Sequence, residues 1–139
     1  MISLKLPSKA KKYLLAVSGG VDSMVMATLF WAEKIPIHIA HMNFQLRGEE
    51  SAEDEAFIRN WCTDHEVPFH TESVNTEQIA SETGNSIQET ARNLRYAFFY
   101  RLLETHQLDY IATAHHADDT LETVVFHFLR GTGLKGMTG

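Results

Sequence analysis

The sequence predicts an α/β fold, a doubly wound parallel sheet with helices on both faces. Three observations predict it. Strand-like apolar runs alternate with longer helical stretches four times. The first run, Tyr13 to Val17, is apolar throughout, as suits a strand covered on both faces. It passes directly into a glycine-rich turn that opens a helix, Ser18-Gly19-Gly20-Val21-Asp22-Ser23.

The remaining elements follow in order. Asp22 to Lys34 has no Gly or Pro and is rich in Met, Ala and Leu, which predicts a helix. Ile37 to Met42, after Pro36, is a second strand, and Glu49 to His65 a second helix with Ala56, Ile58 and Trp61 among its apolar positions. Val67 to Glu72 alternates weakly as a third strand. The polar stretch Ser73 to Asn85 reads as a loop with room for a helical turn. Ser86-x-x-Glu89 is a capping box, and a long helix runs from it to about His106, with Ala91, Leu94, Phe98 and Leu102 at helical spacing. Tyr110 to Ala114 is the fourth strand, and Asp119 to Arg130 is expected as a final helix.

Composition bounds the function. With 139 residues, 44% apolar and 22% charged, the chain holds one ordinary core. No apolar stretch reaches the ~18 residues of a membrane span, and the start lacks the pattern of a secretory signal. The single cysteine, Cys62, allows no internal disulfide and suits a reducing, cytoplasmic setting. Twelve basic against 18 acidic residues leave a net charge of −6, the wrong sign for a domain that grips nucleic acid unaided.

In a doubly wound sheet of order 3-2-1-4, ligands bind beyond the carboxyl ends of the strands, where the order reverses. The turn Ser18 to Ser23 and the segment His115-His116-Ala117-Asp118-Asp119 would form the two walls of that crevice. Gly19 and Gly20 let the backbone turn sharply and approach a ligand. The serine hydroxyls and the N–H groups at the helix start can surround phosphate oxygens. Asp22 is repulsive beside phosphates unless a divalent cation lies between, which points to Mg²⁺. The plain alternative is a strand-to-helix turn in which Asp22 or Ser23 caps the helix. The turn is no Walker A motif, because it contains no Gly-Lys-Ser/Thr. Gly131-x-Gly133-x-x-Gly136 follows a helix-like run and lacks a later acidic residue, so it is not a dinucleotide site. His115 and His116 have no nearby Cys or HExxH partner, and they read as crevice and packing residues rather than a zinc site. His38 and His41 read as strand residues, with His41 nearer the crevice.

The hexapeptide Ser18 to Ser23, placed after the first strand, resembles the signature of the PP-loop family, the N-type ATP pyrophosphatases. Within that family three more segments look like the tRNA(Ile)-lysidine synthetases. They are His41-Met42-Asn43-Phe44-Gln45-Leu46-Arg47-Gly48 with the acidic residues after it, Gln88 to Tyr96, and Thr113 to Asp119 continuing through Glu122-Thr123 to Gly133. Phe44 departs from the pattern, since many members carry a histidine there. The resemblance implies an adenine nucleotide alpha hydrolase-like, Rossmann-like fold over residues 1–139, truncated at its C-terminal end.

The resemblance further implies a ligase. ATP adenylates the C2 oxygen of an anticodon cytidine in tRNA(Ile), and free lysine then displaces AMP to give lysidine. Ser18, Gly19, Gly20, Val21, Asp22, Ser23 and His115 would bind ATP; Asp22 with Asp119, or with Asp118, would hold Mg²⁺; Arg95, and Arg92 beside it, would offset charge at the reacting phosphate or at the oxygen of the base. Asp119-x-x-Glu122 also fits a helix cap, which competes with a metal role. The tRNA would be gripped mostly by parts outside this chain. The alternatives are a PP-loop thiolation enzyme, which needs more cysteines, an amidating PP-loop ligase, and an ATP-binding module without turnover.

Overall fold

The computed structural model describes residues 11–46, 49–116 and 124–130. Among the described residues nine elements follow one another. They are β1 (Tyr13–Ala16), α1 (Val21–Ala32), β2 (Ile37–Asn43), α2 (Glu49–His65), β3 (Phe69–Ser73), α3 (Thr76–Thr83), α4 (Ile87–His106), β4 (Tyr110–His116) and β5 (Val124–Arg130). The sheet order is β3-β2-β1-β4-β5. The first four strands are parallel, with Tyr13 opposite Ile37 on one side and Tyr110 on the other. The expected order of these four strands is the observed one.

Period-2 side-chain alternation splits the core into two layers. Tyr13 and Leu15 of β1 pack with Met26 and Phe30 of α1 and with Ile58 and Cys62 of α2. Leu14 packs on the other face with Phe98, Phe99, Leu102 and Leu103 of α4. Helices α1 and α2 therefore cover one face and α4 the other, and the chain reverses its winding between β1 and β4. That is where a doubly wound sheet opens a crevice.

Local chemistry sets the helix ends. The Ser86 hydroxyl accepts from Glu89 N–H at 3.0 Å, the forward half of the expected capping box. Gln107, at φ 55°, closes α4 with its N–H on Leu103 O.

Two expectations are corrected. The polar stretch after β3 contains a full helix, α3. Asn75 caps it by accepting from Gln78 N–H at 3.1 Å, and Gly84 ends it at φ +78°. Those end signals outweigh the low apolar content. The expected final helix from Asp119 to Arg130 is replaced over Val124–Arg130 by strand β5, antiparallel to β4, with Ala112 opposite Phe128. Val124, Val125, Phe126 and Phe128 are β-branched or aromatic and suit a strand. Phe128 also meets the Tyr13 and Phe30 rings at 6.0 and 6.3 Å, a packing gain that a propensity sum does not contain. The sheet is accordingly mixed, with an antiparallel edge. Among the described residues, no helix is long and apolar enough to cross a membrane.

Candidate functional site

A cavity of about 600 Å³ opens at the carboxyl ends of β1, β2 and β4. Ala16, Val17 and Ser18 form its floor with Ala40 to Met42 and with Thr113 and Ala114. Ser23, Asp54 and Arg95 contribute its polar wall, and Phe44, Leu46 and Phe99 its apolar one.

The loop between β1 and α1 is self-braced. Ser23 Oγ accepts from Ser18 N–H at 3.2 Å and donates to Gly20 O at 3.0 Å. Ser18 Oγ accepts from Gly20 N–H at 3.3 Å and lies 3.4 Å from Ser23 Oγ. Gly20 is the N-cap of α1 and has no side chain with which to cap the helix. Asp22 and Ser23 lie within the first turn of α1 and not at its N-cap position. An uncapped helix start carries partial positive charge and N–H donors, which favour an anion. Gly19 has φ +96°, a conformation costly for any other residue, and a methyl group placed on it would lie 3.2 Å from Asp54 Cβ.

His41 is 6% exposed and stands in the cavity wall. Its Nδ1 is 2.9 Å from Val17 O; a carbonyl only accepts, so Nδ1 carries the proton. Nε2 is left as an acceptor, buried and without a hydrogen-bond partner among the described residues. A buried polar atom of this kind is costly unless something else completes it. Where the polar and apolar linings meet, the Arg95 guanidinium lies over the Phe44 ring at 5.3 Å, so an aromatic side chain holds the cation. Phe44 is fixed in turn, because its carbonyl accepts from the buried Thr76 hydroxyl at 2.9 Å.

The expected site residues distribute as follows. Ser18, Ser23 and Arg95 line the cavity, and Gly19, Gly20 and Val21 form the adjoining turn. Asp22 lies in the first turn of α1, outside the lining. Arg92 is exposed one turn before Arg95 and is likewise outside it. His115 belongs to β4 by its backbone, opposite Val125; Asp118 and Asp119 lie outside the described residues, as does the glycine-rich segment after β5. The reading of the sequence missed Asp54 and the unsatisfied nitrogen of His41. Asp54 is one acid among several in α2, and nothing in its local sequence marks which acid faces the loop.

Comparison with known proteins agrees with this arrangement. The profile of the PP-loop domain matches residues 2–139. A tRNA(Ile)-lysidine synthase of Chlorobaculum tepidum is 43% identical over 139 residues, covering 97% of this chain and 42% of its own length. One of Bacteroides thetaiotaomicron is 42% identical over 128 residues, covering 92% and 30%. The chain thus spans less than half the length of these curated relatives. Among solved structures, an NH3-dependent NAD synthetase from Campylobacter jejuni superposes with a TM-score of 0.56 at 18% identity, over 72% of this chain and 45% of that one, a likeness of fold. A signature turn braced by its own serines, at the switch point of a sheet of this order, and a profile match over nearly every residue make one statement: the chain belongs to the PP-loop domain family.

Proposed function

We propose that this chain is the nucleotide-binding part of a cytoplasmic tRNA(Ile)-lysidine-forming ligase that uses ATP. The observation that carries the reading is the braced Ser18–Ser23 turn leading into α1 with glycine at its N-cap, beside a cavity that Ser18, Ser23 and Arg95 all line. The names of the relatives supply the substrate class. In the reaction, the C2 oxygen of the cytidine attacks the α-phosphorus of ATP and pyrophosphate leaves. The lysine amine then attacks C2, and AMP leaves with the oxygen.

Each residue has a task in this reading. The Ser18–Ser23 turn takes the pyrophosphate end through N–H groups and hydroxyls. Arg95 offsets the negative charge that builds at the α-phosphate, in a cleft walled by Phe44, Met42 and Phe99. His41 Nε2 accepts from a ligand N–H or O–H, which satisfies an atom with no partner among the described residues. The carboxylate set suits Mg²⁺. Asp54 packs against the turn at the cavity wall and Asp22 lies at the helix start, and hard oxygen ligands beside a phosphate site are what that ion takes. Asp22, Asp54 and, by the family pattern, Asp119 or Asp118 would hold it. When bound, Mg²⁺ neutralises phosphate charge.

Two neighbouring chemistries fit less well. Sulfur transfer needs a reactive thiol, and Cys62 is buried among Ile58 and Met26, with its thiol pushed up to about 11 by burial. Amidation uses ammonia in place of lysine. The deciding experiment incubates the protein, as its gene encodes it, with ATP, labelled lysine and tRNA. Label in the tRNA, with pyrophosphate released, is the expected result. Pyrophosphate release that depends on ammonia and not on lysine overturns the reading. A second reading is ATP binding without turnover. It predicts nucleotide-dependent stabilisation with no label transfer.

A further inference from the structure

A second cluster of ligand atoms lies away from the cavity. His38 is near the start of β2, His70 near the start of β3, and His106 ends α4. His38 shares strand parity with Ala40 and Met42, which pack on α4, and Ala40 lies opposite His70 in the sheet register. The three rings therefore meet on the α4 face, at the end of the sheet opposite the cavity. His38 Nδ1 is 2.9 Å from His70 Nε2. Ring centroids are 5.1 Å apart for His38 and His70, 5.1 Å for His38 and His106, and 4.5 Å for His70 and His106. One nitrogen from each ring lies within 4.8 Å of the other two.

We propose that His38, His70 and His106 form a three-histidine site for a divalent transition metal, Zn²⁺ foremost, with solvent as the fourth ligand. Zinc–nitrogen bonds of about 2.0–2.1 Å would set tetrahedral nitrogens about 3.3 Å apart, so the rings close only slightly around an ion. Imidazole without thiolate or carboxylate is a borderline donor set that suits zinc, copper and nickel and does not suit Mg²⁺. Burial, then repulsion among the three rings and from Lys12, holds His38 down to about 4, and burial with His106 lowers His70 as well. Both rings are thus in the neutral form that ligates. His38 and His70 are half-buried and His106 is partly exposed, which leaves a path for the ion and room for water.

The site would act as a clasp. It joins the edge strand β3 to β2 and to the last turn of α4, the helix that carries Arg95 to the cavity. Its position is remote from the phosphate turn, so occupancy stabilises the domain without competing for nucleotide.

Zinc titration by calorimetry, with thermal unfolding and Co²⁺ absorption alongside, tests the proposal. One equivalent binding at micromolar concentration or tighter, a raised Tm, and a tetrahedral Co²⁺ visible band are expected. His106→Ala and His106→Gln, at a helix end, should weaken zinc binding at least 100-fold while the metal-free Tm changes by only a few degrees. A double replacement of His115 and His116 by Ala should bind zinc as the native chain does. Equal zinc affinity in the native protein and both His106 variants overturns the site. So does loss of binding in the His115/His116 variant, or the absence of any zinc-induced rise in Tm.

Discussion

Gly19 lies against Asp54. A methyl group on the glycine would sit 3.2 Å from Asp54 Cβ and 3.3 Å from its Oδ1. The contact brings the acidic helix α2 onto the phosphate-type turn, and it exists only because position 19 has no side chain and adopts φ +96°. Gly19→Ala should therefore cost about 2 kcal/mol in urea unfolding, from backbone strain and the displaced carboxylate. Gly20→Ala, at φ −72° with its nearest neighbour Ser18 Oγ at 3.4 Å, should cost less than about 1 kcal/mol. Equal losses for the two variants would contradict the contact.

Asp54 and Arg95 face the same cavity from different helices, α2 and α4. Under the ligase reading, ATP with Mg²⁺ at ten times its dissociation constant adds about 1.4 kcal/mol of stability. Asp54→Asn and Arg95→Ala should each remove most of that increment and leave the ligand-free unfolding curve close to native, because both side chains are exposed. The thermal shift at millimolar ATP and Mg²⁺ is the measurement, and an undiminished shift in both variants counts against the assigned site.

Thr76 is fully buried, and its hydroxyl completes the Phe44 carbonyl at 2.9 Å. Thr76→Val keeps the shape and leaves that carbonyl without its donor, at a cost of about 1–3 kcal/mol. Thr76→Ser retains the hydroxyl and should lose about 0.8 kcal/mol for the missing methyl. If the valine variant proves as stable as the serine variant, the hydrogen bond does not hold the Phe44 segment in place.

Cys62 is 2% exposed, and burial raises its thiol from 9.0 to about 11. The native state thus keeps its proton to higher pH than the unfolded chain does. The resulting stabilisation is present below pH 9 and is lost as pH rises towards 11. A thiol reagent at pH 8 should label the native protein only at the rate of opening, and the unfolded protein at once. Between pH 8.5 and 10.5 the urea midpoint of the native sequence should fall further than that of Cys62→Ala. Rapid labelling of native protein would mean that the thiol reaches solvent.

The sequence by itself determined the elements whose signals are local. Tyr13 to Val17 declares a buried strand by composition, and Glu49 to His65 carries its helix at the expected bounds. Ser86 caps α4 because a hydroxyl three residues before an N–H needs no distant partner. The order of the four parallel strands was expected from the fold class and not from the pattern alone, and with that order the crevice and its Ser18–Ser23 wall were legible too. Tertiary structure decided what depends on long-range pairing. Val124–Arg130 became a strand because β4 offered a ladder and Tyr13 and Phe30 offered Phe128 a surface, neither of which is encoded within seven residues. Asp54 was singled out from its acidic neighbours by helix phase against Gly19. The orphaned nitrogen of His41 and the meeting of His38, His70 and His106 arise from strand register and from where α4 ends. Side-chain chemistry is local, but the proximity that turns it into a site is set by packing.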